Sequence, residues 1–202
     1  MPELPEIETV KLGIEKTILG SVIMSTKIFR RDLRFPIEEN IEKSISNRRV
    51  LGVGRRSKYL LLFLNKKKTL ILHLGMSGKI NVIIKNKSEY IPKKHDHLIM
   101  LFDNKFILIY NDPRRFGFVE TIDGDYNNYR RFRHIGIEPL SKNFDGKYLI
   151  AKIKSSSRTL KNILMDQKMV AGLGNIYVSE ALWDSQIIPT RIGKNVSLIE
   201  CK

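Results

Sequence analysis

The first six residues, MPELPE, place an unusual amine beside two carboxylates. Removal of Met1, which a small second residue favours, leaves Pro2 as the terminus with a secondary amine. An α-amino group has a pKa of roughly 7.7–8.0, so part of it is neutral and nucleophilic near neutral pH. Its attack on a sugar C1′ or an aldehyde gives an iminium, which stays cationic and acts as an electron sink. Glu3 or Glu6 can supply the general acid.

The same stretch also fits the capped start of a helix. Pro5 suits the first helical turn, and the negative charges of Glu3 and Glu6 are favourable near a helix N-terminus. Taken alone, these residues leave the catalytic and the structural interpretation open.

The charge of the chain points to a polyanionic partner. Lys and Arg number 36 against 21 Asp and Glu, which gives a net charge of +15 in 202 residues. Such an excess is typical of nucleic-acid binding, with an acidic membrane surface or a ribosomal type of structural protein as alternatives. The hydrophobic content of 42% supports a folded core and excludes a disordered basic tail.

The cysteine count and the apolar runs exclude other classes. Cys201 is the one cysteine, so the chain forms no internal disulfide and no cysteine-based zinc site. The N-terminus lacks the pattern of a signal peptide, and no apolar run reaches membrane-spanning length. We therefore expect a soluble intracellular protein, a monomer without a membrane partner.

The periodicity of apolar residues predicts two kinds of structure in succession. Residues 5–19 have helical spacing, and a further short helix is expected at 38–46. Strands are predicted at 22–29, 50–55, 59–64, 70–74, 80–84, 98–102, 106–110 and 118–122. Helices follow at 148–154, 159–166 and 176–185, with another starting at Ser197. The chain is thus α+β, with an antiparallel β-sandwich or barrel at 1–128 and a helical domain at 129–202.

Three motifs in the β-rich part carry side chains suited to DNA. Lys58 follows two arginines and opens an apolar strand, where burial can depress its pKa; a solvated or phosphate-binding lysine is the alternative. In HLGMSG, two glycines can project Met76 into a base stack, or form a hairpin with a buried Met. In DPRRFG, two arginines and Phe116 suit a loop that probes DNA, or a surface turn with a buried Phe.

Two further motifs suit contact with phosphates. KHDH places His95 and His97 two residues apart, but no other cluster supports a metal site, so phosphate contact or plain structure is favoured. GLGN leads into a helix, with Asn175 expected at the N-cap of an anion-binding helix start. Arg158 is expected to begin the preceding helix, so that Arg158 and Asn175 flank a glycine-rich turn.

The motifs MPELPE, RRSKYLLL, HLGMSG, KHDH, DPRRFG and LMDQKMVAGLGNIYVSEALW, in this order, resemble the bacterial formamidopyrimidine-DNA glycosylase family. The resemblance runs from Met1 to about Ile199, and MPELPE with DPRRFG favours this branch over the related endonuclease VIII enzymes. It implies an N-terminal β-sandwich followed by a helix–two-turns–helix domain. The implied activity is base-excision repair: removal of oxidised purines such as 8-oxoguanine or formamidopyrimidine from damaged double-stranded DNA, with AP lyase cleavage by β,δ-elimination.

The resemblance also implies roles for individual residues. Pro2 is the Schiff-base nucleophile, Glu3 the proton donor, and Glu6 supports the site. Lys58 is the proton donor for β-elimination. The residues expected to contact DNA are His73, Met76, His95, Arg114, Arg115, Phe116, Arg158 and Asn175. Of these, Met76, Arg114 and Phe116 would fill the gap left by the flipped lesion, with Arg114 facing the orphaned cytosine; at position 158 the family often carries Lys.

The end of the sequence departs from the family pattern. Family members continue through a lesion-covering loop and a four-cysteine zinc finger, whereas this sequence stops at Lys202, so we expect no cofactor in this chain and zinc only in full-length members. We also expect Ile187, Ile188 and Leu198 to be exposed. The alternative function is a catalytically impaired DNA-binding fragment without lesion specificity. A bacterial cytoplasmic protein associated with the nucleoid is expected in either case.

Overall fold

The chain forms two compact units in the computed structural model, which describes residues 2–85 and 90–202. The first unit is Met1–Tyr129 and the second is Arg130–Lys202. The first is rich in strands and the second in helices, so the predicted α+β class with a β-rich half followed by a helical half is confirmed.

The first helix, α1 (Leu4–Ile18), lies on the core of the first unit. Its buried residues are Leu4, Ile7, Ile14 and Ile18, which the helical repeat places on one face. Each fully buried side chain of this size contributes about 1.5–3 kcal/mol of hydrophobic stabilisation. Because this face is anchored along the whole helix, the residues at its N-terminal end are held in place as well.

Two four-stranded antiparallel sheets make up the sandwich of the first unit. In chain order the elements are β1 (Ile23–Ile28), α2 (Ile41–Ile45), β2 (Val50–Arg56), β3 (Tyr59–Leu64), β4 (Lys68–His73), β5 (Lys79–Ile84), β6 (Asp96–Phe102), β7 (Phe106–Asn111) and β8 (Phe118–Asp123). The described strands pair in the orders β1-β6-β7-β5 and β2-β3-β4-β8. Strands are thus present at each predicted position.

The core lies between the two sheets and follows the alternation of side chains along the strands. Leu60, Leu62 and Leu64 of β3 are buried in the same cluster as Leu98 and Met100 of β6. A spacing of two residues puts such side chains on one face of a strand. One hydrophobic cluster therefore joins both sheets and α1.

After the first crossing, from β1 to β2, the chain crosses between the sheets at two further places that are neighbours. Residues 74–78 lead from β4 to β5, and residues 112–117 lead from β7 back to β8. The strands that flank these crossings are paired, with His73 opposite Phe118 and Lys79 opposite Asn111. The register alone therefore brings the two crossover loops side by side.

The second unit contains three α-helices around a small core. These are α3 (Gly146–Ile153), α4 (Leu160–Leu164) and α5 (Asn175–Asp184). The core residues are Ile153, Leu160, Ile163, Leu164, Val170, Val178, Leu182, Ile187 and Val196. In the described part of the chain, no helix is both long and apolar enough to cross a membrane.

Two expectations for the last residues were wrong. Ser197 begins a single turn and no helix: its hydroxyl and backbone N–H bond to Glu200 Oε2 at 2.8 Å, which caps the turn locally. Ile187 is only 6% exposed because its side chain joins the core of the second unit, whereas Ile188 and Leu198 are exposed. Cys201 is half-buried against this core, and burial raises the pKa of its thiol.

The tip of the β3–β4 hairpin is strained. Lys66 and Lys67 have φ angles of 57° and 55°, a left-handed backbone that costs a residue with a Cβ about 1–2 kcal/mol but is accessible to glycine. We therefore expect Lys67→Gly to raise the free energy of unfolding by about 0.5–1 kcal/mol in a urea titration. Lys16→Gly, within α1, is the control and should lower it by about 1 kcal/mol; destabilisation by both substitutions would contradict the prediction.

Candidate functional site

The N-terminal residues are fixed by the start of α1. Glu3 is the N-cap residue, and its backbone N–H donates to Glu6 Oε2 at 2.8 Å as part of a capping box. Glu3 is 1% exposed, while Pro2 is half-buried. The helix start predicted as the structural alternative therefore exists, and it is compatible with the catalytic one because it holds Pro2 beside a buried carboxyl group.

Lys58 lies in the two-residue turn between β2 and β3. The turn pairs Arg56 with Tyr59, and its first residue, Ser57, is buried with a φ of 54°. Lys58 therefore precedes the strand and lies at the tip of the hairpin. A tight turn between paired strands fixes the backbone from which this lysine extends.

An ion pair ties this turn to α1. Arg55 Nε donates to Glu8 Oε2 at 2.8 Å, and Arg55 Nη1 donates to the carbonyl oxygen of Ser57 at 2.9 Å. The Arg55 side chain is 13% exposed. One guanidinium thus joins the helix that carries Pro2 to the turn that carries Lys58.

The charge of Lys58 is set by burial and by the two acidic residues near the terminus. Desolvation lowers the pKa of Lys58, and the negative charges of Glu3 and Glu6 act in the opposite direction. Both carboxylates are therefore close enough to act on the lysine. The structure thus brings the four predicted catalytic residues, Pro2, Glu3, Glu6 and Lys58, to the start of α1 and the turn that Arg55 ties to this helix.

The two crossover loops are in direct backbone contact. A Cβ on Gly75 would lie 2.4 Å from the carbonyl carbon of Phe116, and one on Gly117 would lie 2.2 Å from the carbonyl oxygen of His73. Atoms cannot approach so closely, so both positions require glycine. The glycines of HLGMSG and DPRRFG thus let the loops pack together.

Three side chains extend from these loops into solvent. Met76 and Phe116 are 43% and 42% exposed. The guanidinium of exposed Arg114 lies over the Phe116 ring, 4.6 Å from its centroid, in a cation–π arrangement. Met76 and Phe116 are therefore not core residues, and the structural alternatives offered for both motifs are wrong.

Arg115 and His73 have partners within the fold. Arg115 Nη1 donates to Asp32 Oδ2 at 2.6 Å. The His73 ring stacks on Phe118 with centroids 5.1 Å apart, and its Nδ1 accepts the Gly75 N–H at 3.1 Å. These two residues hold the loops that carry the exposed side chains.

The histidines of KHDH are held by backbone bonds of the neighbouring loop. His95 has a φ of 74°, and its carbonyl oxygen accepts the backbone N–H of Asp112 at 3.1 Å. His97 is buried with Nε2 2.8 Å from the Asp112 carbonyl oxygen. Over residues 2–85 and 90–202 no three His, Cys, Asp or Glu residues cluster as a metal site would, so the residues present do not fit a zinc ion.

In the second unit, a glycine-rich turn is held between α4 and α5. The side chain of Gln167 accepts the Gly172 N–H at 2.8 Å and donates to the Leu173 carbonyl oxygen at 2.7 Å. Helix α5 begins at Asn175 and its N-cap is Gly174, so the expectation of Asn175 as the N-cap was wrong by one residue. Gly174 has an extended backbone there, and Asn175 is exposed in the first helical position.

Arg158 lies before α4, whose N-cap is Thr159, so the expectation that Arg158 begins the helix was wrong. The Thr159 hydroxyl accepts the Asn162 N–H and takes the cap position. Arg158 Nη1 pairs with Asp166 at 2.9 Å, and its side chain is half exposed. The guanidinium is thus paired with Asp166, while half of the side chain remains open to solvent.

Four residues of these sites escaped the sequence analysis: Glu8, Arg55, Ser77 and Asp112. The motifs HLGMSG and DPRRFG contain Ser77 and Asp112, but the sequence predicted no role for either residue. Their contacts join positions far apart in sequence, such as Ser77 and Asp112, whose Oγ and Oδ1 are 2.6 Å apart. The available signal was an acidic residue at a strand end in a strongly basic chain.

Both units match described protein families. Residues 1–119 match the formamidopyrimidine-DNA glycosylase N-terminal domain, and residues 135–202 match the formamidopyrimidine-DNA glycosylase H2TH domain. The formamidopyrimidine-DNA glycosylase of Bartonella henselae is 43% identical over 201 residues, covering 95% of this chain and 69% of that protein. That of Escherichia coli is 42% identical over 205 residues, covering 100% of this chain and 73% of that protein.

Solved structures share the fold. The crystal structure of the Lactococcus lactis enzyme, bound non-covalently to DNA containing an AP site, has a TM-score of 0.90 and 36% identity. The structural match covers 98% of this chain and 75% of the Lactococcus lactis chain.

The burial of Lys58 leads to a prediction about its titration. After reductive methylation with ¹³C-formaldehyde, NMR should show that the pKa of Lys58 lies below the ordinary lysine value of 10.5. Glu6→Gln should lower the pKa of Lys58 further, because it removes a negative charge that favours the ammonium form. Since the unfolded chain binds this proton more tightly, stability should rise with pH between the folded pKa and the ordinary 10.5.

Glu15→Gln, on the same helix but paired with Lys11, is the control and should leave the Lys58 signal unchanged. A Lys58 signal that titrates with the ordinary pKa of 10.5 would show that the lysine is not desolvated.

The link between α1 and the turn predicts a loss of stability. Arg55→Met removes the donor to Glu8 and to the Ser57 carbonyl oxygen, and should lower the free energy of unfolding by about 1–3 kcal/mol. Arg30→Met is the matched control, because Arg30 pairs with Asp32 where both side chains are more than half exposed; it should change stability by less than about 0.5 kcal/mol. Equal effects in urea titrations would refute a special role for Arg55.

Proposed function

This chain belongs to the formamidopyrimidine-DNA glycosylase family, and on that premise we propose that it is a base-excision-repair enzyme that removes oxidised purines from duplex DNA. The lesions are 8-oxoguanine and formamidopyrimidine, and strand cleavage follows by β,δ-elimination. The observation that carries the proposal is the arrangement of half-buried Pro2, buried Glu3 and desolvated Lys58 at the start of α1 and the turn that Arg55 ties to this helix.

Excision begins with the amine of Pro2, once Met1 has been removed. Its lone pair attacks C1′ of the damaged nucleotide, and the bond between C1′ and the base breaks with its electron pair leaving on the base. The attack leaves Pro2 as an ammonium, whose proton passes to the carboxylate of Glu3. Glu3 then donates this proton to the sugar ring oxygen, the bond between C1′ and the ring oxygen breaks, and the lone pair of the Pro2 nitrogen forms the iminium with C1′. The departing base takes its proton from water. The capping box holds Glu3 beside the amine throughout.

Elimination uses the positive charge of the iminium. Loss of a proton from C2′ sends electrons toward the iminium carbon, and the bond from C3′ to the phosphate oxygen then breaks. Lys58 can donate the proton that the departing group needs, and a lowered pKa makes its ammonium the stronger acid. A second elimination releases the 5′ phosphate, and water frees Pro2.

Base flipping leaves a gap in the duplex that the exposed loop residues suit. Met76 and Phe116 offer apolar side chains that can wedge between base pairs. Arg114 offers several donors in a plane, so it can bond the two acceptors on the pairing edge of the orphaned cytosine. Its position over Phe116 keeps the arginine and the wedge together.

The excess of positive charge supports grip on the DNA backbone. Phosphate contacts provide affinity without reading sequence, and we assign them to His95, Arg158 and Asn175. His73 and Arg115 also shape the loops, through the stacking of His73 on Phe118 and the ion pair of Arg115 with Asp32. The named relatives are bacterial, which supports a location in the bacterial cytoplasm at the nucleoid.

Borohydride trapping tests the proposal directly, because reduction converts the iminium into a stable covalent adduct. Protein lacking Met1 should form an adduct with a duplex containing 8-oxoguanine opposite cytosine and with one containing an abasic site. Pro2→Gly, whose terminus is a primary amine, should trap less, and protein with a blocked Pro2 should not trap. Mass spectrometry of the mature N-terminus shows whether the amine is free.

The outcomes separate the candidate functions. An adduct with the abasic duplex alone would mean that the amine chemistry operates without lesion excision. If neither duplex were trapped while both were bound equally tightly, in a manner weakened by salt, the chain would be a nonspecific DNA-binding protein.

A further inference from the structure

The carboxylate of Asp112 is fully buried and bonded to both crossover loops. Its Oδ1 accepts the hydroxyl of Ser77 at 2.6 Å, and its Oδ2 accepts the backbone N–H of Gly117 at 2.8 Å. Ser77 lies in the loop that carries Met76, and Gly117 directly follows Phe116. One carboxylate therefore joins the two loops from which the exposed side chains extend.

Ser77 extends this connection to Arg114. Its Oγ accepts the backbone N–H of Arg114 at 3.1 Å while its hydroxyl hydrogen is directed to Asp112. The loop of Met76 is thus hydrogen-bonded to the loop of Phe116 at two points, at residues 112 and 114. Gly75 also packs directly against the backbone of Phe116, which leaves no space between the two loops at this point.

The main chain of Asp112 is held equally firmly. Its N–H donates to the His95 carbonyl oxygen at 3.1 Å, and its own carbonyl oxygen accepts the Arg115 N–H at 3.2 Å. Buried Tyr110 lies on the other side, with its hydroxyl 3.1 Å from the His73 carbonyl oxygen and 3.4 Å from Asp112 Oδ2. Burial raises the pKa of Tyr110, so this hydroxyl keeps its proton and remains a donor.

We propose that Asp112 is a positioning residue that locks the loops of Met76 and Phe116 into one preset probe. The proposal rests on the proposed function, since it is the gap left by a flipped nucleotide that such a probe would enter. Two loops that moved independently would have to be ordered at each flipping event, and that ordering would slow excision. The hydrogen bonds of Asp112 order the two loops relative to each other before DNA binds.

A role confined to the local Asp-Pro turn would not need these contacts. A turn is satisfied by its own backbone, and here the Arg115 N–H already bonds to the Asp112 carbonyl oxygen. The side-chain bond to Ser77 spans 35 positions in sequence and stabilises a different loop. The two roles therefore predict different results when only Ser77 is changed.

Ser77→Ala is the sharpest test, because it leaves Asp112 and its bond to Gly117 in place, and Ser77→Thr is the matched control that keeps the hydroxyl. Ser77→Ala should slow single-turnover excision of 8-oxoguanine opposite cytosine by about tenfold. It should leave elimination on single-stranded abasic DNA unchanged, since that substrate has no duplex gap to fill. Ser77→Thr should restore excision, and Asp112→Asn should behave like Ser77→Ala.

Amide hydrogen exchange without DNA gives a second readout that does not depend on catalysis. Ser77→Ala should speed exchange at Arg114, which loses its acceptor, and also at Gly117, whose acceptor is retained. The proposal would be overturned if Ser77→Ala left exchange at Gly117 unchanged. It would also be overturned if this substitution slowed excision of 8-oxoguanine and elimination on single-stranded abasic DNA equally. Inactivity of the unsubstituted protein on every substrate would refute the proposed function instead, and the exchange rates would then decide the coupling of the loops alone.

Discussion

The anchoring of α1 is the constraint on which the first unit depends. A chain terminus normally frays, because few contacts oppose its conformational entropy. Here Pro2 is two residues from a helix whose buried face joins the core of both sheets. The Glu8–Arg55 pair then fixes the hairpin turn relative to that helix. Pro2 and a lysine 56 positions later in the sequence acquire a defined separation because one helix face is buried.

The position of the second group of candidate functional side chains, on the two crossover loops, depends on the topology of the strands. The connections at residues 74–78 and 112–117 both lead from one sheet to the other, and the register of the paired strands makes them neighbours. Strands are rigid, whereas the short connections between them are free to project side chains, so function concentrates in such loops. Glycines at 75 and 117 reduce the distance between the loops until their backbones touch.

The sequence predicted the positions of the strands, but it missed the exact start of α5 and the contact between Ser77 and Asp112. The alternation of Leu60, Leu62 and Leu64 reports burial directly, so the strands were confirmed where the pattern placed them. The exact start of α5 was missed because a glycine and an asparagine both suit an N-cap, and only backbone geometry selects Gly174. The partnership of Ser77 and Asp112 was missed because local patterns carry no record of contacts between distant segments.

The environment of Cys201 has a practical consequence. A thiol reacts as its thiolate, and burial beside Glu200 keeps the population of that form small. A new cysteine on an exposed loop, for instance from Met76→Cys, would therefore react with a maleimide well before the native one. A fluorophore attached in this way would report on the insertion of the loop into a duplex in real time, with Cys201 left as it is.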